Sequence, residues 1–243
     1  MSSYDALASF YDRLTEDVDY AAFADRLERA FRKEAGEFHL LLDLCCGTGS
    51  LSLEMSKRGY ELISVDASEQ MLMKAREKCA QLPLPPLFVC QDAAELDLYG
   101  TVDAAFCTLE AMNYLSKGDC SLMLGRLKNF IRPGGLFLFD IRSPEYLASL
   151  DGDTFVDEGE DFLCLWRADY DESLPALVYG MDIFSRYGKL WTRSLEEHVE
   201  YAHQVKTLTA LLESNGFTQV EVILEDDRLY FCSCRTPTVP LCR

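Results

Sequence analysis

The sequence has few basic residues. Lys and Arg number 23 against 41 Asp and Glu, so the formal net charge is −18. A chain of this charge repels phosphate backbones, which argues against a broad nucleic-acid surface. No apolar run approaches the length of a membrane span, and the polar, acidic N-terminus lacks the basic and apolar segments of a signal peptide. We therefore expect a cytoplasmic protein without a membrane partner and without a broad nucleic-acid surface.

Cysteine, in contrast, is abundant, with ten residues. There is no CxxC pair, and neither the adjacent Cys45 and Cys46 nor the pair Cys232 and Cys234 has the spacing of a zinc site. Several others lie within apolar segments: Cys90, Cys107, Cys164 and Cys232. This pattern predicts buried, reduced thiols and no metal site.

Apolar strands and helical patterns alternate along the first 142 residues. Two helices are predicted first, one on Leu7, Phe10, Tyr11 and Leu14 and one over residues 20–31. Strands are then predicted at residues 39–44, 61–65, 87–90, 102–108 and 136–141, with helices between them. The last of these helices is predicted to end at the sequence RPGG of residues 132–135. Near-continuous apolar strands of this kind form a parallel sheet covered on both faces.

The pattern changes after Ser143. Residues 155–199 are rich in aromatics and alternate with period two, which predicts an antiparallel sheet. A helix at 205–213 and strands at 219–224 and 228–233, close enough for an antiparallel hairpin, then resume the first pattern. We therefore divide the chain into a main domain of residues 1–150 and 200–243 and an inserted subdomain of residues 151–199.

The most informative segment is a glycine turn after the first strand. Residues 43–50 read DLCCGTGS, so a strand leads through glycines into a helix. The free N–H groups of such a helix end hold anionic or hydroxyl-rich ligands. Asp43, four residues before the first glycine, favours a ligand with a positively charged or amine-bearing end over a pyrophosphate.

Polar residues also end the following strands. Asp66 lies 19 residues after Gly47, an offset at which an acid can bind both hydroxyls of a ribose. Asp92 and the backbone N–H of Ala93 are placed to read an adenine edge, and Glu110 follows the fourth strand. A single acid at a strand end is more often a helix cap or a solvated turn. Acids at four strand ends around one glycine loop favour a binding site.

With these motifs the chain resembles the class I S-adenosylmethionine-dependent methyltransferases. The sequences DLCCGTGS, ISVDASEQML, VCQDAAELDL, VDAAFCTLEAMNYL and RPGGLFLFDI occur in order between residues 40 and 142. The segments SYDALASFYDRL and YGKLWTRSLEEHVEYAH resemble a bacterial YqeM-like subgroup of small methyltransferases. The family's usual first loop glycine is Cys45 here, as in some quinone-biosynthesis methyltransferases. The resemblance implies an α/β, Rossmann-like methyltransferase fold with a mostly parallel sheet of about seven strands, the last one antiparallel.

The resemblance also implies a role for individual residues in binding S-adenosyl-L-methionine, with S-adenosyl-L-homocysteine as the product. Asp43 would orient the loop and hold the methionine amino group, and Cys45, Gly47 and Gly49 would form the loop backbone. Asp66 would bind the ribose, Ala67 would lie beside the adenine, and Asp92 and Ala93 would hold the adenine amine. Leu109 and Glu110 would line the methyl end, and Tyr11 would cover the cofactor as a lid; the alternative for Tyr11 is simple helix packing.

Methyl transfer requires alignment of the acceptor, methyl and sulfur, and a base only for an acceptor that must lose a proton early. His198 and Tyr11 are the candidate catalytic residues. His203, Tyr201 and Glu197 are further candidates for a base, although a single histidine is more often structural. Six aromatic residues of the insert are candidate walls for a small-molecule acceptor: Phe162, Trp166, Tyr179, Phe184, Tyr187 and Trp191.

Two other functions stay open at the level of sequence. A nicotinamide-dependent oxidoreductase is disfavoured because Ser52 stands where a dinucleotide fingerprint has its third glycine and because an acid, Asp43, precedes the glycine turn. A non-catalytic regulatory protein that binds S-adenosylmethionine has no feature against it. The chain is expected to act as a monomer or a homodimer.

Overall fold

The computed structural model describes residues 7–34 and 36–236. The strands of the main sheet are β1 (Leu40–Leu44), β2 (Glu61–Asp66), β3 (Leu87–Cys90), β4 (Val102–Cys107), β5 (Ile131–Arg142), β10 (Phe217–Glu225) and β11 (Arg228–Arg235). A second sheet contains β6 (Thr154–Glu158), β7 (Phe162–Asp171), β8 (Ala176–Tyr187) and β9 (Leu190–Tyr201). The helices are α1 (Tyr11–Leu14), α2 (Tyr20–Phe31), α3 (Ser50–Lys57), α4 (Glu69–Cys79), α5 (Lys117–Phe130), α6 (Pro144–Ser149) and α7 (Val205–Ser214).

The seven strands of the main sheet follow the order β10-β11-β5-β4-β1-β2-β3. Strands β1 to β5 pair in parallel, whereas β11 runs antiparallel to both β5 and β10. This arrangement confirms the predicted Rossmann-like fold with an antiparallel last strand. The order reverses beside β1, whose neighbours are β2 and β4, so the carboxyl ends of these strands open a crevice at the switch point.

Alternation along the strands builds an apolar core on each face of the main sheet. Leu41 points to the face covered by α2 and α3, where it joins a cluster with Phe31. Its neighbour Leu42 points to the face covered by α5 and α7 and joins a cluster with Leu127. Because successive side chains of a strand point to opposite faces, a strand buried on both sides has to be apolar throughout.

Strand β5 begins at Ile131, five residues before the predicted start. The segment RPGG, predicted to end the preceding helix, therefore belongs to the strand. Gly135 packs so closely on β4 that a Cβ atom there would lie 2.4 Å from the carbonyl oxygen of Asp103. Only glycine permits this approach.

The inserted segment forms the predicted antiparallel sheet, in the order β6-β7-β8-β9. Its last strand continues to Tyr201, two residues beyond the predicted end of the insert. The first predicted helix is a 3-10 turn at Leu7–Ser9 followed by the single turn α1. This segment packs on the insert, where Phe10 stacks on Phe162 with ring centroids 5.1 Å apart.

The nine cysteines in the described part of the chain are all free thiols. Cys90 is exposed, so the prediction that it is buried is wrong. It lies at the end of β3, the edge strand of the main sheet, whose residues are only partly covered. In the described residues, no helix is both long enough and apolar enough to cross a membrane.

Candidate functional site

The glycine turn joins β1 to α3 through residues with left-handed backbone. Gly47 and Gly49 have φ angles of 53° and 72°. A Cβ atom on Gly49 would lie 2.9 Å from the Cβ of Ala75, so this position also needs glycine for packing. Cys45 has a φ of 60°, a conformation that is costly for a side chain other than glycine. This conformation gives a physical reason why the related family usually has glycine at this position.

Asp43 lies under the turn with only 2% of its surface exposed. Its carboxylate accepts a hydrogen bond from the hydroxyl of Ser52, whose oxygen lies 2.8 Å from that of Ser64. Burial raises the pKa of Asp43 to about 7, and the bond from Ser52 opposes this rise. The sequence identified Ser52 only as a missing glycine, whereas the structure shows it stabilising the acid that the turn encloses.

Asp66 connects the end of β2 to the glycine turn. One carboxylate oxygen accepts the backbone N–H of Gly47 at 2.8 Å, and the other accepts that of Ser68 at 2.9 Å. Burial raises the pKa of this half-buried acid, and the two backbone bonds oppose the rise. The carboxylate therefore shapes the turn at the same edge of the sheet as Asp43.

The third predicted acid lies at the end of β3. Asp92 is exposed, and its carboxylate accepts the backbone N–H of Ala94 at 2.8 Å, which caps the 3-10 turn Ala93–Glu95. Ala93 is buried beneath it. Since β1, β2 and β3 are neighbours in the sheet, the structure brings the three predicted acids to one edge, as expected.

Two consecutive residues after β4, Leu109 and Glu110, have left-handed φ angles of 56° and 51°. Both backbone N–H groups donate to the carboxylate of Asp140, at 3.0 Å each. Arg228 forms ion pairs with both Asp140 and Glu110. This buried network holds a strained turn in place, and the sequence analysis missed its two supporting residues. The signal for Asp140 was an acid inside the apolar run of β5.

Tyr11 covers the glycine turn. Its ring lies 3.9 Å from the position of a Cβ atom on Gly47. Burial raises the pKa of the Tyr11 hydroxyl, and the nearby carboxylate of Glu110 adds to the rise. The next residue, Asp12, is fixed by an ion pair with Lys78 of α4 at 2.7 Å. Tyr11 thus lies over the glycine turn, and its role as a lid stays a prediction.

The candidate bases of β9 and its end have different surroundings. His198 is buried, and its Nε2 lies 3.1 Å from Glu196. Nε2 of His203 lies 2.9 Å from the carbonyl oxygen of Leu115, and burial lowers the pKa of this histidine. This contact makes His203 a structural residue. Glu197 is exposed and lies on the opposite face of β9 from His198.

Five of the six candidate aromatic residues of the insert divide into two groups. Phe162, Trp166 and Tyr179 pack in or against the apolar cluster under the N-terminal segment. Tyr187 and Trp191 lie at the far end of the second sheet, 83% and 49% exposed. These two do not line an enclosed pocket, which corrects the prediction for them.

One buried acid near the predicted methyl end was missed by the sequence analysis. Glu200 is 6% exposed and accepts a hydrogen bond from the hydroxyl of Tyr114 at 3.1 Å. Side chains two residues apart in a strand share a face, so Glu200 lies on the same face of β9 as His198. This spacing is the sequence pattern that could have indicated Glu200.

Comparison with known proteins agrees with this geometry. Residues 41–135 match a family model described as a methyltransferase domain. The chain is 29% identical over 248 residues to the putative methyltransferase YqeM of Bacillus subtilis, covering 97% of this chain and 98% of the relative. An S-adenosylmethionine-dependent methyltransferase from Clostridium acetobutylicum superposes with a TM-score of 0.84 at 25% identity, covering 96% of this chain and 99% of that one. Rat glycine N-methyltransferase is 35% identical over 125 residues, which cover 46% of this chain and 43% of that enzyme.

The residues present fit S-adenosyl-L-methionine. The turn offers a glycine backbone without side chains, and a buried acid with a pKa of about 7 lies beneath it. Asp66 at the end of β2 and Asp92 just after β3 lie at the same edge of the sheet. The comparisons show that residues 41–135 form a methyltransferase domain and that the chain is an S-adenosylmethionine-dependent methyltransferase similar to the putative methyltransferase YqeM.

Proposed function

We propose that this enzyme transfers the methyl group of S-adenosylmethionine directly to a small-molecule acceptor held between the strand ends of the main sheet and the inserted sheet. One observation carries the proposal. Strand β9 of the insert is bonded to the segment that follows Glu110, since the side chain of Asn113 donates to the carbonyl of Tyr201 at 2.9 Å. The inner face of the insert therefore lies against the predicted methyl end.

In this proposal the cofactor lies along the edge formed by β1, β2, β3 and β4. Asp43 attracts the amino group of the methionine part, and the backbone of Cys45, Gly47 and Gly49 lies beside it. Asp66 binds the ribose, and Ala67, Asp92 and Ala93 surround the adenine. Leu109 and Glu110 border the methyl group, with Tyr11 above them. The burial of Asp43 and the left-handed turn at Leu109 and Glu110 support these positions.

S-adenosylmethionine supplies a methyl group already activated by its sulfonium. The protein mainly has to hold the acceptor in line with the methyl–sulfur bond and to exclude water, and such alignment accounts for much of the acceleration. Tyr11 and the apolar cluster of Phe10 and Phe162 shield the site on the side of the insert. His198 and Glu200 are buried candidates for the base that an acceptor needs if it must lose a proton.

Two observations support a small acceptor, namely the packing of the insert and the name of a similar enzyme. The N-terminal segment packs on the insert through Phe10 and Phe162, and β9 is bonded to the turn after Glu110, which suits a molecule that enters the site whole. The name of rat glycine N-methyltransferase, which is similar over 125 residues, gives a small molecule as its acceptor. We further propose that residues 151–199, with the end of β9, act as the substrate-binding subdomain.

Titration calorimetry and product detection test this function. S-adenosylhomocysteine should bind one site per chain, whereas NADH should not bind. Asp66→Asn should weaken S-adenosylhomocysteine binding at least tenfold, and Asp169→Asn, an exposed change in β7, should leave it unchanged. Melting temperatures measured alongside separate a binding defect from unfolding. A chain that binds no S-adenosylhomocysteine, or that releases none from S-adenosylmethionine with any small acceptor, would contradict the proposal.

A further inference from the structure

Glu200 is a buried carboxylate whose hydrogen-bond partner is neutral. It is 6% exposed, and the hydroxyl of Tyr114 donates to it at 3.1 Å. Within residues 7–34 and 36–236, no ion pair involves Glu200. A buried carboxylate without a cation is costly, so its retention needs an explanation.

The position of Glu200 is fixed next to the methyl end. Tyr114 follows Glu110 by four residues, in the 3-10 turn Ala111–Tyr114. The side chain of Asn113 in this turn donates to the carbonyl of Tyr201 and accepts the backbone N–H of Arg142, both at 2.9 Å. The insert strand, the turn and β5 are thus bonded together where Glu200 lies.

The guanidinium groups near Glu200 pair with other carboxylates. Arg228 is shared by Asp140 and Glu110, and Arg142 lies 3.9 Å from Glu110. Among the described residues, these two guanidinium groups accompany the carboxylates of Asp140, Glu110 and Glu200, and Glu200 is the one of these three that forms no ion pair with them.

The titratable and charged groups that face Glu200 come from several elements. Burial raises the pKa of Glu200 to about 7, with a further contribution from the carboxylate of Glu110. The hydrogen bond from Tyr114 and the guanidinium groups of Arg142 and Arg228 act in the opposite direction. The surrounding side chains are Glu110, Tyr114, Arg142, Tyr179, His198 and Arg228.

We propose that Glu200 receives the ammonium group of an amine acceptor and takes its proton, so that the enzyme is an N-methyltransferase. The inference rests on the proposed function and names its acceptor class. The ammonium loses one proton to the Glu200 carboxylate, and the freed nitrogen lone pair forms a bond to the methyl carbon. The carbon–sulfur bond breaks with its electron pair going to sulfur. The products are the methylated ammonium and S-adenosylhomocysteine, and the proton on Glu200 passes to solvent.

The charge that an acceptor carries as it loses its proton distinguishes an amine from the other acceptors that would need a base. A phenol, enol or acidic carbon develops negative charge as it loses its proton, next to the carboxylates of Glu110 and Glu200. Like charges at such short range in a buried site are unfavourable. An ammonium instead brings a positive charge to these carboxylates, and its neutral amine form accumulates no negative charge.

A paired panel tests the acceptor class: glucosamine with glucose, glycine with glycolate, and cyclohexylamine with cyclohexanol. Binding of each compound to the enzyme saturated with S-adenosylhomocysteine is measured by titration, and turnover is measured by product release. We expect at least one amine to bind and to be methylated, and its hydroxyl partner to do neither. If S-adenosylhomocysteine binds but no amine of the panel binds or reacts, the amine assignment is overturned and the proposed function stands. If S-adenosylhomocysteine does not bind, the proposed function itself fails.

The variant Glu200→Gln tests the role of the carboxylate. A general base contributes about 10²- to 10⁴-fold, so kcat with the amine should fall at least 100-fold while the Kd of S-adenosylhomocysteine stays within twofold. Glu200→Asp should recover part of the rate and keep the acidic limb of the kcat/KM profile near pH 7, which Glu200→Gln should lack. Glu158→Gln, an exposed change in β6, is the matched control. Unchanged kcat and pH profile in a folded Glu200→Gln enzyme would overturn the role of Glu200.

Discussion

The hydroxyl of Ser52 donates a hydrogen bond to the carboxylate of Asp43, and both residues are almost fully buried beneath the glycine turn. Ser52 lies in the first turn of α3, and Asp43 lies in β1. The bond thus joins the strand and the helix on either side of the turn. It also favours the ionised form of an acid whose pKa burial raises to about 7.

Replacing Ser52 by alanine should weaken cofactor binding in a pH-dependent manner. Without its donor, the Asp43 carboxyl should hold its proton to higher pH and attract the methionine amino group less. A hydrogen bond to a charged group contributes about 1.5–3 kcal/mol, so the affinity for S-adenosylhomocysteine should fall about tenfold or more. Calorimetry should show a larger loss at pH 6.5 than at pH 8.5.

The matched control for this prediction is Ser56→Ala in the same helix. The Ser56 hydroxyl is buried and has no hydrogen-bond partner in the described part of the chain. Its removal should leave cofactor affinity unchanged at both pH values. Equal losses in the two variants would show that the bond to Asp43 has no special role.

Asp43→Asn should stabilise the fold at alkaline pH while it weakens cofactor binding. The folded-state pKa of about 7 lies above the ordinary value, so the unfolded chain binds fewer protons between the two values. Stability from this group is therefore complete at low pH and declines as pH rises through 7. Asparagine lacks this dependence. Urea unfolding should show that the variant gains about 2–3 kcal/mol relative to the wild type between pH 5 and pH 8.

The control for the charge change is Asp169→Asn, an exposed substitution in β7. Its stability relative to the wild type should be the same at pH 5 and pH 8. If Asp43→Asn behaved in the same way, the raised pKa of Asp43 would be refuted.

Arg228→Met should destabilise the protein strongly. The Arg228 side chain is 11% exposed, and its removal leaves the fully buried Asp140 without a counter-ion. Breaking a buried pair from one side costs about 3–5 kcal/mol. Because Asp140 holds the backbone of Leu109 and Glu110, cofactor affinity should fall as well.

The control for this prediction is Arg76→Met, which removes an exposed ion pair with Glu69. It should lower the free energy of unfolding by less than about 1 kcal/mol. Similar losses of unfolding free energy in both variants would disprove the importance of the buried network.

Tyr11→Ala should speed the release of bound cofactor. The ring covers Gly47, so its removal opens the turn to solvent. We expect the Kd of S-adenosylhomocysteine to rise at least tenfold, mainly through faster dissociation measured by stopped flow. Tyr11→Phe keeps the ring and should change the Kd less than threefold. Tyr187→Ala, a change at an exposed tyrosine, is the control for loss of a ring. Equal effects of the alanine and phenylalanine variants would argue against a lid.

Much of the main sheet could be predicted because its strands are apolar and its helices have clear starts. Ser68, for example, caps α4 by accepting the N–H of Met71, as its position before the helix indicated. The start of β5 could not be predicted in the same way. The sequence RPGG is typical of a turn, but close packing of Gly135 on Asp103 holds it in the sheet. Such an approach depends on the neighbouring strand and leaves no local pattern.

The edge proposed to bind the cofactor could also be located from the sequence. Asp43, Asp66 and Asp92 lie at or just after the carboxyl ends of strands that are neighbours in the sheet, and the structure brings them to one edge. The residues on the proposed acceptor side were harder to predict from the sequence. Asp140, Glu200 and Arg228 are far apart in sequence, and an acid inside a strand resembles any buried polar residue until its partner is known.

The sequence by itself determined the Rossmann-like sheet, the inserted antiparallel strands and the edge at which we propose that S-adenosylmethionine binds. These follow from local patterns, namely periodicity, capping residues and acids at strand ends. Tertiary structure alone decided which side chains meet across the crevice. It joined Ser52 to Asp43 and Arg228 to Asp140, and it placed Glu200 beside the predicted methyl end. Such contacts depend on how whole elements pack, and each residue's own neighbours in the chain do not encode them.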